Sequence, residues 1–552
     1  MHLDFSLMKM TIEWHFEEEY HISETCSSVC DSLGSALIWT NGMQIFGKGG
    51  VIIANQISYD FGTETEPSYW EYFYSDTYGP FGFPKHDAAL VIPIPNESAE
   101  IVVISHTSDV HSNGLFQPNQ YLESKILKIH EEEFQIAYKD KPIFDQKIWY
   151  TGPILACRHG NGSDWWIVLC EVDSKNYYSF ILGSNGLQFH HKGSVDQLIQ
   201  EGLGQATFSP LGNYMARMDA ITLDEGQYIS LFSFDRCSGD FIYLDQFHTE
   251  AGYFTGVAFS PNERYLYADE DKTLWQWDLW ASDIAGSQIV VDTFDGFIEP
   301  GWFGTRFGPM KLAPDGRIYI STPGGSSKRF HVVDRPDLPG KSCRFLQHHI
   351  NLEKWNGRSM PNIPNYRLGP LDGSPCDTLG LNNHPVSRWR YEEDEPGYPE
   401  LIRFTDLSFF DPQEWYWEFG DGNSSDIPSP LHTFEPGIYH VCLTVSNEYA
   451  TDSSCQWIEI IPTSIREEMQ KDLPPYSFSP NPFLKEITIA SRSGDFESVH
   501  LRIHDMHGRL ILEQPTLTIP SRIVLPDYPP GIYLIGIENE EGGVYSVKMM
   551  KR

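Results

Sequence analysis

AFSPNERYLYA at 258–268, ATFSPLGNYMA at 206–216 and KLAPDGRIYIS at 311–321 are three copies of one pattern: an apolar run, a turn built on Pro, Asn, Asp or Gly, then an alternating apolar and aromatic strand. Their anchors, Phe208, Phe259 and Leu312, recur at steps of 51 and 53 residues. One period earlier stands ACRHGNGSDWWIV (156–168), and weaker copies read IPIPNESAEIVVI (92–104) and CDSLGSALIWT (30–40). A period of about 50 residues with four strands per unit is the spacing of a β-propeller, because a four-stranded blade cannot bury both faces alone and must stack radially on its neighbours. Residues 1–390 divided by that period predict about seven blades, with six and eight also compatible.

The repeats carry the chemistry that stacking needs. Pro261-Asn262 and Pro314-Asp315-Gly316 supply the backbone angles of a hairpin, and Tyr265, Tyr267, Tyr319, Trp275 and Trp277 supply bulk for packing between blades. Asp164-Trp165-Trp166 admits two readings, a platform for sugar rings or blade core, and core is the commoner use of paired Trp in a blade strand.

Composition narrows the class further. Lys and Arg number 39 against 76 Asp and Glu, and the formal charge of −37 opposes the counterion release on which nucleic-acid affinity rests. Aromatics at 14% with 45 Gly and 37 Pro describe an all-β chain of short strands and tight turns. No run of about 18 apolar residues is present, so no transmembrane helix is expected. The nine cysteines form no zinc-type CxxC pair. Cys26 and Cys30, Cys157 and Cys170, Cys343 and Cys376, and Cys442 and Cys455 read as oxidised pairs of an exported protein, with Cys237 left as the free thiol. GxSxG, HExxH, Walker and GxGxxG motifs are all missing, and GGSSK (324–328) is a hairpin tip rather than a phosphate loop. No catalytic, cofactor-binding or metal-ligating residue is therefore expected, and no cofactor.

Two C-terminal modules follow the acidic, Pro/Gly-rich run YEEDEPGYPE (391–400). In the first, Trp415, Trp417 and Phe419 alternate on one face, Gly420-Asp421-Gly422 turns the chain, and Tyr439, Val441, Leu443 and Val445 oppose Ile458 and Ile460. Asp421 and Asp426 read as turn-forming residues capping their own backbone more readily than as calcium ligands. Cys442 and Cys455 fall on the outward parity of their strands. A register centred between Glu448 and Tyr449 puts them directly opposite, which predicts a disulfide. In the second module Val499, Leu501 and Ile503 point inward, with His500, Arg502 and His504 outward. Four residues along a strand separate the two histidines by about 13 Å, too far for one ion.

These residues carry three resemblances. ALIWTNGMQIFGKGG (36–50), HVVDRPDLPGKSCRF (331–345) and RLGPLDGSPCDTLGLNNHPV (367–386) resemble a family of Bacteroidota surface propellers, which implies a β-propeller over 1–390. WEFGDG (417–422), HTFEPGIY (432–439) and VCLTVSN (441–447) resemble a PKD domain, an immunoglobulin-like β-sandwich over 398–462. FSPNPF (478–483), SVHLRIHDMHGRLIL (498–512) and LPDYPPGIYLIGI (525–537) resemble a type A sorting domain of type IX secretion over 476–552.

The resemblance implies a secreted or outer-surface location and, as partners, the type IX secretion machinery and its sortase. It also implies a signal peptide and first strand upstream of MHLDFSLMKMTIEWHFEEEYH, an opening with no basic end followed by an apolar stretch. Two functional readings stand. One is a non-catalytic recognition or adhesion protein whose propeller meets a glycan or protein ligand. The other is a carbohydrate-active hydrolase, with two or three carboxylates converging at the propeller mouth.

Overall fold

The computed structural model describes residues 2–4, 11–13, 25–30, 36–54, 74–75, 79–80, 87–96, 99–110, 116–130, 133–144, 148, 151–199, 204–222, 226–250, 255–299, 304–322, 327–356, 360–395, 398–460, 476–479, 485–491, 497–505, 509–525, 529, 531–539 and 544–551. The expected linker at 463–475, the turn residues Met506, His507 and Gly508, and Pro530 lie outside them.

Each of the six repeat anchors is the first hairpin of a four-stranded antiparallel sheet whose strands follow one another in chain order. The sheets begin at Ser27–Cys30, Leu90–Pro93, Leu155–Arg158, Ala206–Phe208, Val257–Phe259 and Met310–Leu312. The first strands of the first and second sheets, and those of the third through sixth sheets in turn, lie side by side, which makes them the inner strands. Within residues 1–390 the described residues form six such sheets, one of the blade numbers compatible with the repeat period.

Stacking is hydrophobic and mixed across each seam. Ile38 and Ile45 of the first sheet pack with Val91 and Val103 of the second, Ile92 and Tyr121 of the second with Trp165 and Phe180 of the third, and Trp166 and Val168 of the third with Met215 and Phe232 of the fourth. Ile229 and Phe247 of the fourth meet Leu266 and Trp277 of the fifth, and Tyr267 of the fifth meets Met310 and Val333 of the sixth. Trp165 and Trp166, adjacent in one strand, point to opposite faces and enter two different seams, both essentially fully buried. The paired tryptophans are therefore core and not a sugar platform. Trp277 likewise stacks on Phe247 with ring centroids 5.1 Å apart.

Beyond the blades, one sheet orders the strands Trp389–Glu393, Leu401–Asp406 and Leu431–Thr433, and a second orders Ser424–Ser425, Glu414–Glu418, Gly437–Ser446 and Thr451–Ile460. Trp417, Phe419, Val441, Leu443 and Val445 are buried as the alternation requires. Contact density divides the chain into two compact units. The first comprises Met1–Glu392, Phe404–Pro430 and His440–Trp457, and the second Glu393–Arg403, Leu431–Tyr439 and Ile458–Arg552. Within the second, Tyr476, Ile487, Ile489, Val499, Leu501, Ile503, Ile535 and Ile537 share one core between two small sheets.

The cysteines depart from the sequence reading. Cys237 is not the free thiol: it is bonded to Cys376, 139 residues away. Cys376 is therefore not paired with Cys343, which is a buried thiol, and Cys157 and Cys170 are buried thiols as well. Burial pushes the Cys157 and Cys343 thiols up to about 12, so both stay protonated. Cys442 and Cys455 are disulfide-bonded across the Gly437–Ser446 and Thr451–Ile460 hairpin, with Cα atoms 4.1 Å apart. Replacing both by Ser should destabilise the sandwich by about 2–4 kcal/mol, because the crosslink restricts the unfolded chain. Urea titration of oxidised wild type against the double variant measures this, and equal midpoints would show the bond to be without effect.

Candidate functional site

The inner ring poses a backbone problem. The residues leading into the first strands turn their amides and carbonyls toward the axis, where no ladder strand meets them, and a buried backbone group without a partner is costly. Two primary amides meet this need. Buried Gln205 accepts at Oε1 from Val257 N (3.3 Å) and Met310 N (3.1 Å), joining the fourth, fifth and sixth sheets. Buried Asn362 donates from Nδ2 to Ile154 O (2.9 Å) and Ala89 O (3.1 Å), while its own N donates to Cys26 O (2.8 Å). Its carbonyl accepts from Ser27 Oγ (2.6 Å), which in turn accepts from Val91 N (2.9 Å). Asn362 thus joins the first, second and third sheets.

Close to the Asn362 set, Asp87 and Lys311 feel each other's charge. Burial pushes the Asp87 carboxyl up to about 6, against the pull of the Lys311 ammonium. Burial lowers Lys311, and Asp87 and Cys26 pull it back. Glycoside hydrolysis needs two carboxylates flanking the scissile bond. Among the described residues, the charge acting on Asp87 is a cation rather than a second carboxylate.

The axis is occupied by the chain itself. After Asn362 at the entry ends of the inner strands, Asn365 Nδ2 donates to Pro210 O (2.7 Å) and Arg367 Nη1 to Pro314 O (2.8 Å), both in first hairpins at the opposite ends. Tyr366 packs edge-on to Trp165 at 5.1 Å. Residues 362–367 therefore run the depth of the ring. Arg236 Nη2 then binds Gly369 O (2.6 Å), Leu371 N binds Gly160 O (2.8 Å), and the Cys237–Cys376 bond fastens the emerging segment to the fourth sheet. The glycines of HGNG serve this passage. A Cβ on Gly160 would stand 2.4 Å from Cys376 Sγ, and Gly162, at φ +77°, lies against Pro370.

Other residues singled out from the sequence have local roles. Asp421 Oδ1 accepts from Asn423 N (2.9 Å), the turn cap expected of it. His500 pairs with Glu513 (2.9 Å) on an outward face. Gln205, Asn362, Asp87 and Lys311 were not singled out by sequence reasoning, although Gln205 stands just before the repeat at 206–216 and Lys311 opens the one at 311–321. The one signal was HGNG itself, a pair of glycines closer together than a simple hairpin needs.

Comparison with known proteins addresses the C-terminal third. A family model described as PKD domain matches residues 401–461, and one described as secretion system C-terminal sorting domain matches 477–552. No curated protein matches the chain. Among solved structures, the PKD1 domain of the Vibrio cholerae metalloprotease PrtV is 23% identical over 14% of this chain and 96% of its own, with TM-score 0.13. A Methanosarcina mazei protein is 44% identical over 14% of this chain and 53% of its own, with TM-score 0.12. The Pseudomonas aeruginosa periplasmic gluconolactonase PpgL is 10% identical over 79% of this chain and 98% of its own, with TM-score 0.28. The chain is an all-β protein in which a β-propeller precedes a PKD domain and a type IX secretion C-terminal sorting domain, the signature of a secreted or cell-surface protein.

Proposed function

We propose that this chain is a non-catalytic recognition or adhesion protein: the propeller presents its loop faces to a glycan or protein ligand, the PKD domain spaces it from the surface, and the sorting domain takes it to the type IX machinery and a sortase. The observation that carries this reading is the filled axis. A propeller hydrolase needs an open mouth with converging carboxylates. Here Asn362, Asn365 and Arg367 bond to five of the six sheets along the axis, and Asp87 faces a cation. A ring whose axis is taken up by its own chain leaves recognition to its loops. Glycan-array and polysaccharide-hydrolysis screens on the full chain test the two readings together. Binding without turnover is expected, and release of reducing sugar would overturn the non-catalytic assignment.

Export gives a second expected outcome. The sorting domain is removed on passage to the surface, so mass spectrometry of surface-released protein should recover propeller and PKD peptides and none from 525–552. Recovery of those peptides in the mature form would contradict processing.

The third concerns Asp87. A carboxyl raised to about 6 in the fold, against about 3.9 unfolded, adds stability that is complete below the unfolded value and is lost as pH rises through the folded one. Wild type should therefore lose about 2 kcal/mol from this group between pH 4.5 and 7.5. Asp87→Asn, which tolerates the φ of +52° at this position, should lack that loss. Urea midpoints of both proteins at the two pH values check it. Parallel pH profiles would remove Asp87 from the account.

A further inference from the structure

The outward face of the Gly437–Ser446 and Thr451–Ile460 hairpin holds three metal-ligating side chains in one place. His440 and Cys442 are two residues apart on one strand and so share a face. Cys455 stands opposite Cys442, and Trp457 stands opposite His440, its ring 4.6 Å from the imidazole. The ligand atoms of His440, Cys442 and Cys455 all lie within 4.8 Å of one another, and His440 Nδ1 is 3.8 Å from Cys442 Sγ. The His440 Nδ1 to Cys442 Sγ separation is close to the edge of about 3.5 Å of a tetrahedron with metal–sulfur bonds of about 2.3 Å and metal–nitrogen bonds of about 2.0 Å, while the two sulfurs, bonded to each other here, must part to about 3.8 Å to occupy its S–S edge. The imidazole is exposed, so an ion can reach it from solvent, and the Trp457 ring limits its rotation.

In the oxidised chain the two sulfurs are bonded to each other and cannot serve as thiolates. We propose that reduction of the Cys442–Cys455 bond converts this face into a site for a thiophilic divalent cation of the Zn²⁺ class, with His440 Nδ1 and the two thiolates as ligands and a fourth position open to water. The step balances. A dithiol reductant gives two electrons and two protons to the S–S bond and leaves as its own disulfide; the cation then binds the two sulfurs as thiolates and releases two protons to solvent. The PKD hairpin thereby has two mutually exclusive closures, one covalent and one through a metal ion. The site does not depend on the recognition reading of the propeller.

The test uses the full chain and Co²⁺ as the spectroscopic probe. In the presence of a non-chelating phosphine reductant, wild type should bind one Co²⁺ per chain with a thiolate-to-cobalt charge-transfer band, and Zn²⁺ should bleach it. The oxidised chain should show no band. His440→Ala should weaken binding by more than the ~10–100-fold that losing an outer-shell partner costs, and Cys442→Ser should abolish the band. A band of equal strength in both variants would place the ion elsewhere and overturn the site.

Reduction also opens the Cys237–Cys376 bond, so a second readout is taken cysteine by cysteine. Zn²⁺ should protect Cys442 and Cys455 from alkylation, measured by peptide mass spectrometry, in wild type and not in His440→Ala. Protection that is absent, or that persists without His440, would overturn the proposal even if the reduced blades loosen.

Discussion

The structure of the first unit depends on how a ring of sheets satisfies the backbone at its own axis. Each inner strand has a neighbour on one side and the axis on the other, and each stranded N–H or C=O there would cost about 1–3 kcal/mol. Gln205 and Asn362 answer with neutral primary amides, which carry two donors and an acceptor with two lone pairs and pay no charge penalty on burial. The division of labour is complete among the six sheets. Gln205 serves the fourth, fifth and sixth, and Asn362 the first, second and third. A carboxylate at either place would accept but not donate and would carry the cost of burial, which at Asp87 pushes the carboxyl up to about 6 against the pull of Lys311.

This dependence explains what the sequence could and could not disclose. The hairpins were legible because a tight turn restricts residue type locally, and Pro261-Asn262 or Pro314-Asp315-Gly316 announces itself in three residues. The alternation of Val441, Leu443 and Val445 was legible for the same reason, since a strand sorts its faces every second residue. Asn362 meets its partners across 208 to 336 positions of chain, and nothing near it in sequence distinguishes it from a surface Asn. Cys237 was misassigned on the same ground: nearness in sequence favoured local pairs, while its partner Cys376 arrives only because the segment from 360 onward returns through the ring. Cys157 and Cys170 sit on neighbouring strands but lie opposite Trp166 and Tyr177 rather than each other, so adjacency of strands did not make a pair.

The exit from the blades is built from charge instead of amides. Arg317 of the sixth sheet binds Asp315 (3.2 Å), Asp334 (2.6 Å) and Glu392 (2.5 Å), while Arg390 bonds Asp315 O (2.8 Å), Asp334 O (3.1 Å) and Glu392. The strand Trp389–Glu393 is thus tied to the turn Pro314-Asp315-Gly316, the same turn that receives Arg367 from the axis. Buried ion pairs contribute little net stability against desolvation, but removing one partner leaves an unpaired charge, so such a network fixes one arrangement over near alternatives. Trp389 extends the tie: its Nε1 donates to Ser454 O (3.1 Å), and Ser387 N donates to Asp452 (2.8 Å).

Under the proposed recognition role, axis and exit together limit what the propeller can offer a ligand. A segment that passes through the ring, is bonded at both ends of the inner strands and is then crosslinked by Cys237–Cys376 makes the centre part of the scaffold. Loops borne on a rigid scaffold can vary without cost to the fold, and that is where binding residues accumulate in such architectures. An exported protein gains from this arrangement. Reversible unfolding outside the cell is not rescued by chaperones or by resynthesis, so crosslinks that restrict the unfolded chain matter more than they would in a reducing compartment. Cys237–Cys376 closes a loop of 139 residues and Cys442–Cys455 one of 13. By loop-closure entropy the first constrains the unfolded chain more, and it is also the one that holds the axis segment in place. Loss of that bond would free the chain around Cys376, while Arg236 still binds Gly369 O and Asn362 and the inner ring it joins stay bonded.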